Sequence, residues 1–98
     1  MATSFVVLCT LTQTGRSDAP GAESSLTDWR RLFEEAEGIV NTHLMTFGRY
    51  DAVIAGECSS VHELAHWVAD IDDAGCFSTE TLIGAAPGTF APEHHLAP

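Results

Sequence analysis

The chain contains no lysine. Its basic residues are Arg16, Arg30, Arg31 and Arg49, four against 14 aspartates and glutamates, and the formal net charge is -10. Phosphate backbones and anionic membrane surfaces are both held by clusters of Lys and Arg, so neither nucleic acid nor a membrane is an expected partner, and the charge serves solubility. Cysteine is scarce as well. Cys9, Cys58 and Cys76 are odd in number, widely spaced and without a CxxC pair, which argues against a disulfide framework and a cysteine zinc site and leaves buried thiols. Long apolar runs are missing too: Phe5 to Leu11, the longest nearly apolar stretch, is far too short to cross a bilayer. The N-terminus lacks the basic segment and long apolar stretch of a secretory signal, and a cytoplasmic location is the expectation.

What is present is the composition of a globular protein, 45% apolar and 18% charged over 98 residues, enough for one hydrophobic core and no second domain. Ser4 to Thr12, rich in Val, Phe, Leu and Thr without clean alternation, reads as a central strand buried on both faces. Gln13 to Ser24, with two glycines and Pro20, reads as a mobile loop. Ser25-Leu26-Thr27-Asp28 has capping-box spacing, so the first long helix is expected to start there. It carries a stripe of Leu26, Trp29, Phe33 and Ala36, turns Arg30, Glu34 and Glu37 to water, and stops at Gly38.

Ile39 to Phe47 and Tyr50 to Cys58 read as a hairpin around a tight Gly48-Arg49 turn. Ser60-Val61-His62-Glu63 is a second capping box, opening a helix with the stripe Val61, Leu64, Ala65, Val68 and Ile71. Cys76 to Ile83 alternates as a last strand. Residues 1–86 thus form one α+β domain of the ferredoxin-like βαββαβ kind, a four-stranded antiparallel sheet with two helices on one face, and 87–98 an irregular tail. Two helices cover one face only. Val6 and Leu8 leave the other apolar, which points to a homodimer through the open sheet face.

The residues Thr46-Phe47-Gly48-Arg49-Tyr50-Asp51-Ala52-Val53, followed by Glu57 and by Thr79-Glu80-Thr81-Leu82, resemble the GYD-domain family. In that family a Gly-x-Tyr-Asp turn precedes an apolar strand ending in an acidic residue, and a Thr-Glu-Thr-Leu-like strand follows the second helix. The resemblance runs from about Ser4 to Phe90. It implies a dimeric α/β-barrel in which two ferredoxin-like sheets face each other, and it leaves activity unassigned. Similar barrels include cofactor-free monooxygenases, isomerases and ligand-sensing modules.

Three residue sets carry candidate chemistry. Tyr50 and Asp51 are placed to orient a small polar ligand, with His43 on the second strand as a general base, since histidine titrates near neutrality; the plain alternative is that Asp51 accepts backbone amides at the turn and His43 is structural. Trp29 and Trp67 either pack against the sheet, each N–H finding water or a carbonyl, or line an apolar ligand pocket. Val61-His62-Glu63-Leu64-Ala65-His66-Trp67 resembles the zincin metallopeptidase helix, in which His62 and His66 would grip one Zn²⁺ and Glu63 would act as base.

Helical geometry, however, turns both histidines about 140° from the centre of the apolar stripe, towards solvent, and no further ligand follows at zincin spacing. Glu80, His94, His95 or a residue of a second copy would have to complete the site. The expectation is therefore a small-molecule-binding dimer with cofactor-independent chemistry and no cofactor. The alternatives are a non-catalytic assembly or regulatory module, and a zinc-binding protein or metallohydrolase built on His62 and His66.

Overall fold

The computed structural model describes residues 2–91. The elements are β1 (Thr3–Leu11), α1 (Gln13–Ser17), α2 (Ala19–Glu35), β2 (Ile39–Met45), β3 (Ala52–Cys58), α3 (Val61–Asp73) and β4 (Phe77–Ile83). The strands form one antiparallel sheet in the order β2-β3-β1-β4. This is the expected α+β, ferredoxin-like arrangement, with β1 central. The strands at the hairpin are shorter than expected, ending at Met45 and restarting at Ala52.

The segment expected as a mobile loop, Gln13 to Ser24, is helical instead. Thr12 caps α1, its Oγ1 accepting from Gly15 N–H at 3.1 Å, and Asp18 caps α2, its Oδ1 accepting from Gly21 N–H at 3.1 Å. Pro20 falls in the first turn of α2, where its missing N–H has no intrahelical partner to lose. Gly15 is required by close approach: a Cβ there would lie 2.1 Å from the Cys76 carbonyl oxygen. Ser25 to Asp28 therefore sit inside α2 rather than at its start. The helix ends in a Schellman arrangement, with Gly38 N–H donating to Phe33 O at 2.9 Å and Glu37 N–H to Glu34 O at 3.1 Å. The left-handed residue is Glu37, φ 74°, not Gly38.

Half of the second capping box forms as expected, while the Glu63 carboxylate is bonded by Ser59 Oγ instead of reaching back to the Ser60 N–H. Ser60 Oγ accepts from Glu63 N–H at 3.1 Å and α3 begins at Val61. Both long helices pack on one face of the sheet. Phe5, Val7 and Cys9 of β1, Ala52 and Ile54 of β3 and Phe77 of β4 meet Ala22, Leu26, Trp29 and Phe33 of α2 and Leu64 and Ile71 of α3, all buried. Val61 and Ala65, assigned to the same stripe by spacing, remain exposed at its margin. At the centre, Phe33 stacks on Trp29 at 5.0 Å and meets Phe5 and Trp67 edge-on at 5.7 and 5.4 Å. Burial of such side chains, about 2–3 kcal/mol each, dominates the stability of a domain this small.

The opposite face carries no helix. Register places Val6 opposite Ala55 and Leu82, and Leu8 opposite Val53 and Glu80, while Leu44 lies opposite Val53. Leu44 is 56% and Leu82 51% exposed. Beyond β4, residues 87–90 form a turn, with Thr89 N–H donating to Ala86 O at 3.2 Å. His94 and His95 lie outside the described residues. No helix among the described residues is long and apolar enough to cross a membrane.

Candidate functional site

A bulge in β2 between Val40 and Thr42 sets the phase of the strand, so that His43 pairs with buried Ile54 and faces the helices while Thr42 and Leu44 face away. Above His43 runs α2. Its apolar stripe Ala22, Leu26, Trp29 and Phe33 enters the core, and one residue further round runs a second stripe, Glu23, Thr27, Arg30 and Glu34, at the same helical spacing. This polar flank, with Arg31, stands over the β2 edge. Together with His43 and Met45 it encloses an open cleft of about 450 Å³.

His43 is half-buried in this cleft, and its Nε2 is buried without a hydrogen-bond partner. Burial pushes the imidazole below its ordinary value; the Arg30 guanidinium adds to that, while the Glu23 and Glu34 carboxylates pull the other way. The ring is thus neutral near pH 7, able to donate or accept a proton. Arg30 Nε donates to Glu34 Oε1 at 3.3 Å and Arg31 Nη1 to Glu35 Oε2 at 2.8 Å, so the cationic groups of the cleft are held in helical pairs beside carboxylates. Both signs of charge are presented over a neutral base.

The Tyr50 and Asp51 turn lies elsewhere. Gly48, φ 117°, takes the backbone conformation that other residues resist, and Thr46 closes the turn through its N–H to Asp51 O at 2.9 Å and its Oγ1 to Tyr50 O at 2.7 Å. Asp51 Oδ2 accepts from Leu11 N–H at 2.8 Å and has Arg16 Nη2 at 3.9 Å. The carboxylate thereby serves a backbone amide at the end of β1, forty residues away in sequence, rather than the amides of its own turn. Tyr50 OH donates to Glu80 Oε2 at 3.1 Å, with Arg49 at 5.7 Å from the ring centroid. Since Glu80 pairs with Leu8 on the open face and His43 faces the helices, His43 and Tyr50 are on opposite sides of the sheet and do not form one site.

Trp29 and Trp67 meet edge-on at 6.2 Å, and Trp29 Nε1–H donates to Trp67 O at 2.7 Å. The space beside Trp29 is about 30 Å³, far below the roughly 300 Å³ of a small-molecule pocket. His62 and His66 are exposed on α3 with ring centroids 4.8 Å apart, as the helical geometry required. Glu63, the expected base of a hydrolase, has its Oε2 hydrogen-bonded by Ser59 Oγ. The buried Cys9 thiol is pushed up to about 12, first by burial and then by the Asp72 charge, which keeps it protonated.

Sequence reading had passed over Glu23, Thr27, Arg30 and Arg31 as cleft residues and Glu80 as the partner of Tyr50. The signal for the first group is the 4-3-4 spacing of Glu23, Thr27, Arg30 and Glu34, visible only once α2 is extended back to Asp18. Glu80 is thirty residues from Tyr50, a separation that only the sheet order closes.

Three solved structures share the fold. The crystal structure of MtbAldR superposes with a TM-score of 0.65 at 10% identity over 88% of this chain; the chain spans about half of that protein, 55% of its length. The crystal structure of FFRP-DM1 gives 0.51 at 17% identity over 87% of this chain and all (100%) of the other. A hypothetical protein from Pyrococcus horikoshii gives 0.51 at 18% identity over 93% of this chain and 98% of the other. At these identities the likeness concerns the fold alone. No curated protein matches the sequence. The family model of the GYD domain matches residues 5–91, from the first core residue of β1 to the turns after β4, and the chain belongs to the GYD domain family.

Proposed function

We propose that the protein is a cytoplasmic homodimer, joined through its open sheet faces, that binds a small polar molecule in the cleft between α2 and β2. The observation that carries the binding site is the buried Nε2 of His43 without a partner. Buried polar atoms are nearly always paired, and the His43 ring that carries this unpaired one lines a 450 Å³ cleft, where a small ring rotation would present it to a ligand. Guanidinium and carboxylate groups flank it on one helix stripe, so the ligand class is a small molecule bearing an acid, an amine or both. A neutral imidazole at that position suits proton transfer to or from such a ligand without a cofactor.

The test is thermal unfolding in the presence of small acids, amines and zwitterions. A ligand at saturating concentration raises the native Tm by about 5 °C or more, and the rise is lost in His43→Gln. A panel without effect on the native protein, or an equal rise in His43→Gln, refutes the site.

A non-catalytic assembly role has its own support in the aliphatic open face, where Val6, Leu8, Val53 and Ala55 form the middle and Leu44 and Leu82 the flanks. Two copies related by a twofold axis would bury these residues against each other. Under this reading Leu8→Arg, which places an unpaired charge in the interface, weakens pairing by about a hundredfold or more and sediments as a single chain. Native protein sedimenting as a single chain refutes pairing.

A further inference from the structure

His62 and His66 lie outside the cleft and outside the core, and nothing in the fold requires them: both are exposed on the outer side of α3. Their imidazole centroids are 4.8 Å apart, with planes at 86°. Two imidazoles each holding an ion at about 2.1 Å with a near-tetrahedral N–M–N angle have centroids roughly 5 Å apart. The observed centroid separation fits one shared ion once rotation of the exposed side chains about χ1 and χ2 turns a nitrogen of each ring towards it. Asp70 stands one turn beyond His66, and the chain carries a net charge of -10, which favours a cation near the surface.

We infer that His62 and His66 form a two-histidine surface site for a divalent transition-metal cation of the zinc or copper class. Imidazole nitrogens prefer these ions over magnesium or calcium. Among the described residues no cluster of three His, Cys, Asp or Glu side chains suited to a metal includes the pair, so water fills the remaining positions of the ion. The side chain of Glu63, with its carboxylate hydrogen-bonded by Ser59, is engaged away from the work of a general base. The site binds; it does not hydrolyse peptides.

Calorimetric titration of the untagged chain with Zn²⁺ and with Cu²⁺ tests this. The site takes one ion per chain, and His62→Ala and His66→Ala each weaken binding by roughly tenfold or more because a chelating ligand is lost. The double variant His94→Ala, His95→Ala controls for the tail and keeps the affinity of the parent. Cu²⁺ bound at this place also quenches Trp67, the neighbour of His66, and the quenching disappears in His66→Ala. Parental affinity in both single helix variants, or loss of the ion only in the tail variant, overturns the site. Both helix substitutions are at exposed positions, so the midpoints of their circular dichroism melts stay within about 3 °C of the parent.

Discussion

The two halves of the molecule, β1-α2-β2 and β3-α3-β4, follow one plan and differ in what lies under the edge of the helix. In the first half the flank of α2 is polar, Glu23, Thr27, Arg30 and Glu34, and with β2 it forms a cleft over a half-buried His43. In the second the flank of α3 is mostly apolar, Val61, Ala65, Val68 and Ala69 with Asp72 at its end, and with Thr81 and Ile83 of β4 it forms a groove of about 420 Å³. Histidines are present in both halves, beneath the helix in one and outside it in the other. A βαβ frame therefore does not assign chemistry to either half; the residues one step round from the buried stripe do.

The halves also differ in how they are anchored. Phe33 of α2, fully buried, touches Phe5, Trp29 and Trp67, whereas α3 contributes buried Leu64 and Ile71. Phe33→Ala is expected to cost about 3–5 kcal/mol and Leu64→Ala about 2–4 kcal/mol, read from denaturant midpoints. An equal or reversed order removes the asymmetry. The pH dependence sharpens it further. The folded-state value of His43 is lowered by burial, so the native protein binds fewer protons than the unfolded chain at this ring. Its contribution is complete above the unfolded value of about 6.5 and is lost as pH falls through the folded one. Stability measured between about pH 6.5 and pH 5 should therefore fall less steeply in His43→Gln than in the parent. The smallest effect is at the helix ends. Gly75, φ 85°, follows α3, while the corresponding left-handed position after α2 is Glu37. Glu37→Gly is expected to stabilise by about 0.5–1 kcal/mol, by relieving a backbone conformation that costs a side-chain-bearing residue, and Gly75→Ala to destabilise by a comparable amount.

The sheet was legible because its strands alternate or are continuously apolar, and because β1 reads as central from residues such as Val6 and Val7 on both faces. The start of α3 was legible because Ser60 and Glu63 are three residues apart in front of an apolar run. The start of α2 was not. Gly15, Pro20 and Gly21 each read as breakers, yet Gly15 serves close approach to Cys76, Pro20 sits where a helix tolerates it, and Gly21 supplies the N–H that Asp18 caps. Missing the first turns of α2 hid Glu23, and with it the polar stripe over His43. The conspicuous motif, His62 to His66, drew attention to an outer surface, whereas His43, a lone strand residue with no local signature, acquired its environment only from a helix and a strand brought together by the fold.

The central claim, that the first half rather than the second holds the small-molecule site, is tested most directly by mapping NMR chemical shifts while the panel of small acids, amines and zwitterions is titrated. Saturable shifts are expected at the His43 ring and at Thr27, Arg30 and Glu34, with Val68 and Ile83 unmoved. Shifts confined to Val68, Ile83 and their neighbours, or none at His43 with any compound, would contradict it.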